Sequence, residues 1–263
     1  MAINIEQARQ FVSSVDLRGT QRGFVDMAAA TDAGEIFDAA KTQARVVGSG
    51  LFSFAQGITG EVREAISDSA LLAQLVANKE TSKKPDPVAW FEAYTKVLQN
   101  VGWTLQDGGW VDYTANGTAV EINKKITEVL TVALGPAPAA LAIITASINA
   151  LQAMKPDSPW LTIFNRESQI AEISRFQIGL VDKEENGDVF VSLLGCLINA
   201  KFTDTTVLVF DFRQASAKFK VNSSKVSINR GALTDIGPAI RAKTRAYLFD
   251  YMSGIEDLKP VTT

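Results

Sequence analysis

The side chain best suited to covalent chemistry in this chain is Cys196, the only cysteine among 263 residues. A single cysteine cannot close an intramolecular disulfide, so its thiol is available for other chemistry or for packing. The chain contains no histidine, which excludes Ser-His-Asp and Cys-His catalysis and histidine-ligated metal sites. Carboxylate, lysine and tyrosine acid–base chemistry remains open.

Sequence motifs that mark common enzymes are also absent. The chain has no P-loop, no dinucleotide-binding glycine pattern and no metal-ligand spacing. The acidic run at residues 182–188 could bind calcium, but its spacing is not that of an EF-hand, which favours a solvated turn. We therefore expect a protein that is not an enzyme, with no catalytic residues, no metal and no diffusible cofactor.

Cys196 lies in the run VFVSLLGCLINAKF, residues 189–202, which is apolar on both faces and predicts a central strand. Strict alternation places four side chains on the same face as Cys196, namely Phe190, Leu194, Ile198 and Phe202. Gly195 then points to the opposite face and leaves room for a closely packed helix. The apolar face could line a slot for a fatty acyl chain, or Cys196 could pack as a small hydrophobic core residue.

A second unusual stretch carries no charge from Val129 through Met154. It predicts an apolar helix hairpin over residues 119–155, which Gly-Pro-Ala-Pro interrupts at 135–138. The prolines and the polar residues Thr145, Ser147, Asn149 and Gln152 make it a poor membrane-spanning segment. The hairpin could be buried in a globular core, could enter a bilayer, or could do both in turn if contact with lipid releases it.

Residues 1–118 are predicted to be mainly helical. Helices are expected over residues 5–15, 31–44 and 60–78, and Asp86 and Pro87 form a typical start for another. A strand is expected over 45–58, and two short extended pieces joined by a turn over 102–117. The four tryptophans could anchor the protein at a membrane interface, but core packing is favoured for Trp90, Trp103, Trp110 and Trp160.

Residues 168–230 predict an antiparallel sheet. Strands are expected at 169–181, 189–202 and 206–212, followed by shorter, more polar strands toward an edge at 217–221 and 225–229. A closing helix is expected over 234–253. These elements indicate an α/β fold of the α+β type, with a meander flanked by helices in a single domain over residues 1–263.

The charge balance argues against nucleic acid as a partner. The chain has 26 Lys and Arg against 29 Asp and Glu, and the basic residues are scattered rather than clustered. No signal peptide is predicted, because the first residues lack a basic segment followed by an apolar run. We expect synthesis in the cytoplasm and release by lysis or by a dedicated export route.

The order of features from residue 120 to 251 resembles that of two related families. An apolar helix hairpin is followed by PWLTIF, then by SRFQIGLVD, KEENGD, VFVSLLGCLINAKF and TVLVFDF, and then by a helix near Thr234. This order is similar to that of the Cyt cytolytic δ-endotoxins and of the Evf virulence factor family. The resemblance implies a central antiparallel sheet with helical layers on both faces.

The same resemblance implies a function. The Cyt toxins bind and permeabilise lipid membranes, and Evf carries a palmitoyl thioester on a central cysteine, for which Cys196 is the candidate here. We therefore expect a virulence factor or toxin that binds host membranes, with those of an insect gut as one target, and that carries palmitate on Cys196. Its partners would be a lipid membrane or fatty acid, with homo-oligomers forming on membranes. A lipid-carrying or signalling module without pores, and an acyl-thioester enzyme using Cys196, are the alternatives.

Overall fold

The computed structural model describes residues 4–20, 37–116, 121, 124–125, 128–129, 132, 138–155, 157–170, 173–199 and 216–259. Its helices are α1 (Ile5–Ser14), α2 (Gly60–Glu80), α3 (Pro87–Asn100), α4 (Pro138–Gln152), α5 (Pro159–Ser168), α6 (Arg230–Thr244) and α7 (Leu248–Tyr251). Its strands are β1 (Gln43–Val47), β2 (Gly50–Phe54), β3 (Trp103–Asn116), β4 (Gln169–Ile170), β5 (Ile173–Lys183), β6 (Val189–Asn199), β7 (Ser216–Ile228) and β8 (Glu256–Asp257).

The strands form one sheet in the order β3-β7-β6-β5-β2-β1-β8, with the short β4 paired to β5. The expected antiparallel meander runs from β5 through β6 to β7. The N-terminal strands join it through a parallel pair between β2 and β5, so the sheet is mixed. Parallel neighbours need a long crossover connection, and residues 55–172 provide one.

Helices cover both faces of the sheet. On one face, α1, α2, α3 and α6 pack with strand residues such as Phe52 and Val191 in the larger core cluster. On the other face, α4 and α5 pack with Leu51, Phe176 and Cys196 in a second cluster. The α/β fold class, with one sheet between two helical layers, is confirmed.

The N-terminal part contributes three strands as well as helices, whereas a mainly helical segment was predicted. The helix expected over residues 31–44 is not formed in its described part, because residues 37–42 are non-helical and β1 begins at Gln43. Asp38 explains the difference. Its carboxylate accepts a hydrogen bond from the Ala40 amide at 2.9 Å, and its carbonyl accepts one from the Lys41 amide at 3.1 Å, which closes a local turn.

Glycines account for two further differences between the prediction and the structure. The strand expected over 45–58 is a hairpin of β1 and β2, joined by a two-residue loop in which Gly48 has a φ of +52°. Conversely, the turn expected within 102–117 is absent, because Gly108 and Gly109 form an irregularity inside one continuous strand, β3. The same residue type thus makes a turn in one place and a bulge in the other.

Strand β7 is one long interior strand, whereas two short strands toward an edge were predicted. It pairs with β6 on one side and with β3 along almost its whole length on the other. Because β3 comes from the distant N-terminal half, its position beside β7 depends on tertiary packing and leaves no local sequence pattern.

The remaining helices agree more closely with those predicted from the sequence. Helices α2 and α3 lie where they were predicted, and α4 matches the second helix of the apolar hairpin. Helix α5 was not predicted, although Pro159 after Ser158 is a typical start. The closing helix begins earlier than expected, at Arg230, because the Asn229 side chain caps it through the Ala232 amide. The strand predicted at 206–212 lies outside the described residues.

Candidate functional site

Cys196 lies near the middle of β6, which β5 and β7 flank on either side. Its cross-strand partners are Phe176 on β5 and Val221 on β7. The strand is buried on both faces over most of its length, which is why its sequence is apolar without alternation. The prediction of a central strand around Cys196 is confirmed.

The face of β6 that carries Cys196 packs beneath α4 and α5, which we call the α4–α5 layer. Cys196 is 1% exposed, and its cluster includes Leu194 and Ile198 from the same strand. Ile144 and Ile148 of α4 belong to the same cluster. Any group larger than hydrogen on the sulfur would therefore displace its neighbours or lift the layer.

The opposite face of β6 has a close helix contact at Gly195, as the sequence predicts. A Cβ atom at Gly195 would lie 2.8 Å from the ring of Phe91 on α3, inside van der Waals contact. The Phe91 ring is itself packed against the Trp110 ring, at 5.1 Å between centroids. The missing side chain at Gly195 thus sets how closely α3 approaches the strand that holds Cys196.

The thiol of Cys196 is a poor nucleophile in this arrangement. Burial raises its pKa well above the usual value, because a thiolate in an apolar core loses its hydration. The positive charge on the adjacent strand does not lower this pKa, because it lies on the other side of the sheet. Arg175 precedes Phe176 but lies on the other face, with its guanidinium carbon 3.7 Å from the Trp90 ring centroid. Covalent chemistry at Cys196 therefore requires the layer above it to open.

The four predicted companions of Cys196 have different positions. Leu194 and Ile198 are buried with it in one cluster. Phe190 is half-buried at the start of the strand, where the Lys225 ammonium lies 4.7 Å from its ring centroid, and it is one of the residues that line a surface cleft. Phe202 lies outside the described residues.

A pair of hydroxyls joins the α4–α5 layer to the sheet. The Oγ atoms of Ser53 on β2 and Ser147 on α4 lie 2.6 Å apart, and both side chains are buried. Ser147 also donates to the Ile143 carbonyl at 2.9 Å. Sequence reasoning marked Ser147 as a polar residue in an apolar helix but did not identify its partner, because Ser53 lies 94 residues away.

The tryptophans lie mainly in the core. Trp90, Trp103 and Trp160 are buried, and Trp110 is half-buried against Phe91. The acidic run at 182–188 forms the turn between β5 and β6, where Glu184 pairs with Lys225 at 2.8 Å. Within the part of the chain that the structure describes, no helix has the length and apolar character needed to cross a membrane.

Solved structures that are similar to this chain include a virulence factor and a δ-endotoxin. No family model matches the chain, and no curated protein matches it. A structure of the Evf virulence factor aligns with 91% of this chain and 100% of its own, at 12% identity and a TM-score of 0.35. A δ-endotoxin structure aligns with 81% of this chain and 82% of its own, at 10% identity and a TM-score of 0.34. These are the two kinds of protein that the sequence resembles.

Proposed function

We propose that this protein is a membrane-binding virulence factor or toxin whose α4–α5 layer opens on contact with lipid. The observation that carries the proposal is the uncharged helix α4, which covers the Cys196 face of the sheet through apolar contacts and the Ser53–Ser147 hydrogen bond. A helix without charges can leave the sheet for lipid without desolvating an ion.

The energetics of α4 favour a closed state in water. Opening would expose Ile144, Ile148 and Leu151, which are all buried against the sheet. Each exposure costs about 1.5–3 kcal/mol in water. At a bilayer surface the same side chains enter the acyl region, so the cost is largely recovered. Lipid contact would thus shift the balance toward the open state.

The open helix would lie along the membrane surface. Helix α4 has 15 residues, and at 1.5 Å per residue it is about 22 Å long, shorter than a hydrocarbon core of about 30 Å. Half-exposed Ile143 and exposed Leu141 already present apolar surface near its start. Permeabilisation, with homo-oligomers on the membrane, would follow from this surface insertion.

In a second form of the same proposal, the protein carries palmitate on Cys196. Once the layer is open, the apolar side chains around the thiol could cover an acyl chain, which gains about 0.8 kcal/mol per buried CH₂. Acylation would have to occur while the layer is open, since the closed thiol is buried and neutral. The acylated form predicts an intact mass that exceeds that of the unmodified chain by one acyl group. Neutral hydroxylamine should remove this excess, and Cys196→Ser should not show it.

The test of the proposal is dye release from phosphatidylcholine vesicles with and without phosphatidylglycerol. Leu141→Lys replaces an exposed apolar side chain of α4 with a charge, so it should leave the folded protein intact and weaken release severalfold. Thr234→Lys adds the same charge at an exposed position of α6, on the other helical layer, and should release dye like the parent.

The vesicle and mass measurements also separate the rival functions. Neither binding nor release at any composition would contradict the membrane proposal. Binding that depends on Cys196, without release, would instead indicate a lipid-carrying or signalling module. Turnover of an acyl-thioester that Cys196→Ser abolishes would indicate an enzyme using a lysine or carboxylate base.

A further inference from the structure

A cleft of about 990 Å³ lies at the end of the sheet where β3 begins and β7 ends. At this end Trp103 pairs with Ile228, and the first turns of α1 and α6 and the turn between β5 and β6 border the same space. The volume lies at the upper end of the range for small-molecule sites, so it suits an extended ligand better than a single ion.

Neutral amide side chains dominate the polar lining of this cleft. Gln7 on α1 and Gln99 on α3 are both exposed, and neither amide has a hydrogen-bond partner among the described residues. Asn4 and Asn229 use their Oδ1 atoms to cap α1 and α6. Their Nδ2 groups have no partner in the described part of the chain. Each amide provides donors and acceptors that can pair with hydroxyl groups.

Aromatic rings supply an apolar surface in the same cleft. Phe190 lies in its wall, and the Lys225 ammonium over its ring helps to fix the orientation of the side chain. Trp103 also lines the cleft, and its indole N–H is buried without a partner among the described residues. Apolar ring surface beside amides suits a ligand that has C–H faces and hydroxyl edges.

The charged groups of the cleft nearly cancel. Glu184 is paired with Lys225 at 2.8 Å, and Asp188 accepts a hydrogen bond from the Asn186 side chain at 3.0 Å. Arg230 is the cation among the lining residues of the described chain and offsets the charge of Asp188. This balance disfavours a phosphate, a nucleic acid or an acidic peptide, each of which needs several uncompensated cations.

We infer that this cleft binds a neutral oligosaccharide, with Gln7 and Gln99 bonding its hydroxyls and Phe190 packing against a sugar face. The chemistry is the same for a free glycan, a protein glycan or a glycolipid headgroup. The inference does not depend on opening of the α4–α5 layer, because the lining residues come from α1, α3, β3, β6, β7, α6 and the turn before β6.

The test uses soluble probes and no membrane, so its failure is distinct from failure of the proposed function. Maltotriose, chitotriose and lactose are titrated by calorimetry and saturation-transfer NMR, with inorganic phosphate as the anionic probe. We expect at least one neutral sugar to bind, and the double variant Gln7→Ala/Gln99→Ala to bind it at least tenfold more weakly. Gln10→Ala, an exposed glutamine on α1 outside the lining, should bind like the parent.

Absence of binding to every neutral sugar would overturn the assignment of the cleft to an oligosaccharide, as would binding that the double variant leaves unchanged. Competition by phosphate would reassign the cleft to anions. Equal thermal unfolding of the parent and the double variant, expected because both glutamines are exposed, assigns any loss of binding to the lost contacts. Once a sugar is found, vesicles that display it distinguish a glycolipid headgroup from a free glycan.

Discussion

The hydroxyl oxygens of Ser53 and Ser147 lie 2.6 Å apart in a buried hydrogen bond between β2 and α4. A neutral hydrogen bond of this kind contributes about 0.5–1.5 kcal/mol net, so it positions α4 without locking it. Both side chains are short and face each other across the boundary between the sheet and the α4–α5 layer. The pair therefore marks a place where the layer can be fixed or loosened deliberately.

A disulfide at this pair should hold the layer closed. The variant Ser53→Cys/Ser147→Cys, made in a Cys196→Ser background, brings two sulfurs to positions whose oxygens are 2.6 Å apart, close to the 2.05 Å of a disulfide. We expect the oxidised form to lose most dye release from vesicles and a reductant to restore it, because release requires α4 to leave the sheet.

The matched control for the disulfide is Ser53→Ala/Ser147→Ala in the same background. It removes both hydroxyls together, leaves no unpaired partner and cannot form a cross-link. We expect it to release dye at least as fast as the parent, whatever the redox state. Undiminished release by the oxidised cysteine pair would show that the layer need not open.

Gly195 offers a test of the opposite face. Replacing it with alanine brings Cβ to 2.8 Å from the Phe91 ring, which Trp90 and Trp110 hold in place. We expect Gly195→Ala to lower the free energy of unfolding by about 1–3 kcal/mol, as overpacking does elsewhere. Chemical denaturation measures this loss, and Phe91→Leu in the same chain should recover part of it.

Gly231→Ala is the control for that substitution. Its Cβ would lie 3.5 Å from the Asn229 Oδ1 atom, which is ordinary contact, and Gly231 is in the first turn of α6. Alanine is favoured over glycine in helices by up to about 1 kcal/mol. Equal effects at Gly195 and Gly231 would mean that the Phe91 contact does not limit the approach of α3.

The sequence predicted the surroundings of Cys196 where periodicity is strong and local. Alternation correctly placed Leu194 and Ile198 beside Cys196 and left Gly195 facing a helix. A strand buried on both faces must be apolar throughout, so β6 was visible without any knowledge of its neighbours. Acylation of the thiol remains a prediction, because burial alone does not distinguish a lipid site from a packed cysteine.

Long-range pairing was not predictable from the sequence. β3 joins β7 across more than 100 residues, and the parallel pair of β2 and β5 spans a similar separation. Ser53 meets Ser147 for the same reason. Local periodicity reports which face of an element is buried, but the element that buries it is selected by packing over the whole chain.

The stability of the protein should depend on pH through Asp68. This carboxylate on α2 is buried, and burial raises its pKa from 3.8 to about 6, although Arg241 on α6 donates a hydrogen bond to it at 2.8 Å. Arg241 is partly exposed, so water screens its attraction and the desolvation cost dominates. Glu64 on α2 and Arg45 on β1 complete the charged group around Asp68.

The direction in which stability changes with pH follows from proton linkage. Since the pKa of Asp68 is higher in the folded state than in the unfolded state, folding takes up a proton between about pH 4 and 6. This site therefore gives stability at low pH that is lost as the pH rises through 6, by up to about 3 kcal/mol for the full shift. Asp68→Asn should remove this dependence and cost little at pH 7.

Denaturant titrations of parent and Asp68→Asn at pH 4.5, 5.5, 6.5 and 7.5 measure the effect. The difference in unfolding free energy between the two proteins should move in favour of the variant as the pH rises. Thr234→Ala, which changes an exposed side chain on α6 without adding or removing a titratable group, is the control and should give a nearly constant difference from the parent. A constant difference for Asp68→Asn as well would contradict the raised pKa.

Cys196 itself can report on opening of the layer in the unmodified protein. Its thiol is 1% exposed and neutral at pH 7, so maleimide labelling should be slow and limited by opening of the α4–α5 layer. Thr234→Cys in a Cys196→Ser background places a thiol at an exposed site on α6 and gives the unprotected rate. We expect labelling of Cys196 at least a hundredfold slower than this reference in buffer. Vesicles should reduce the protection tenfold or more, because lipid stabilises the open layer, and unchanged protection on vesicles that release dye would place the membrane-active segment elsewhere in the chain.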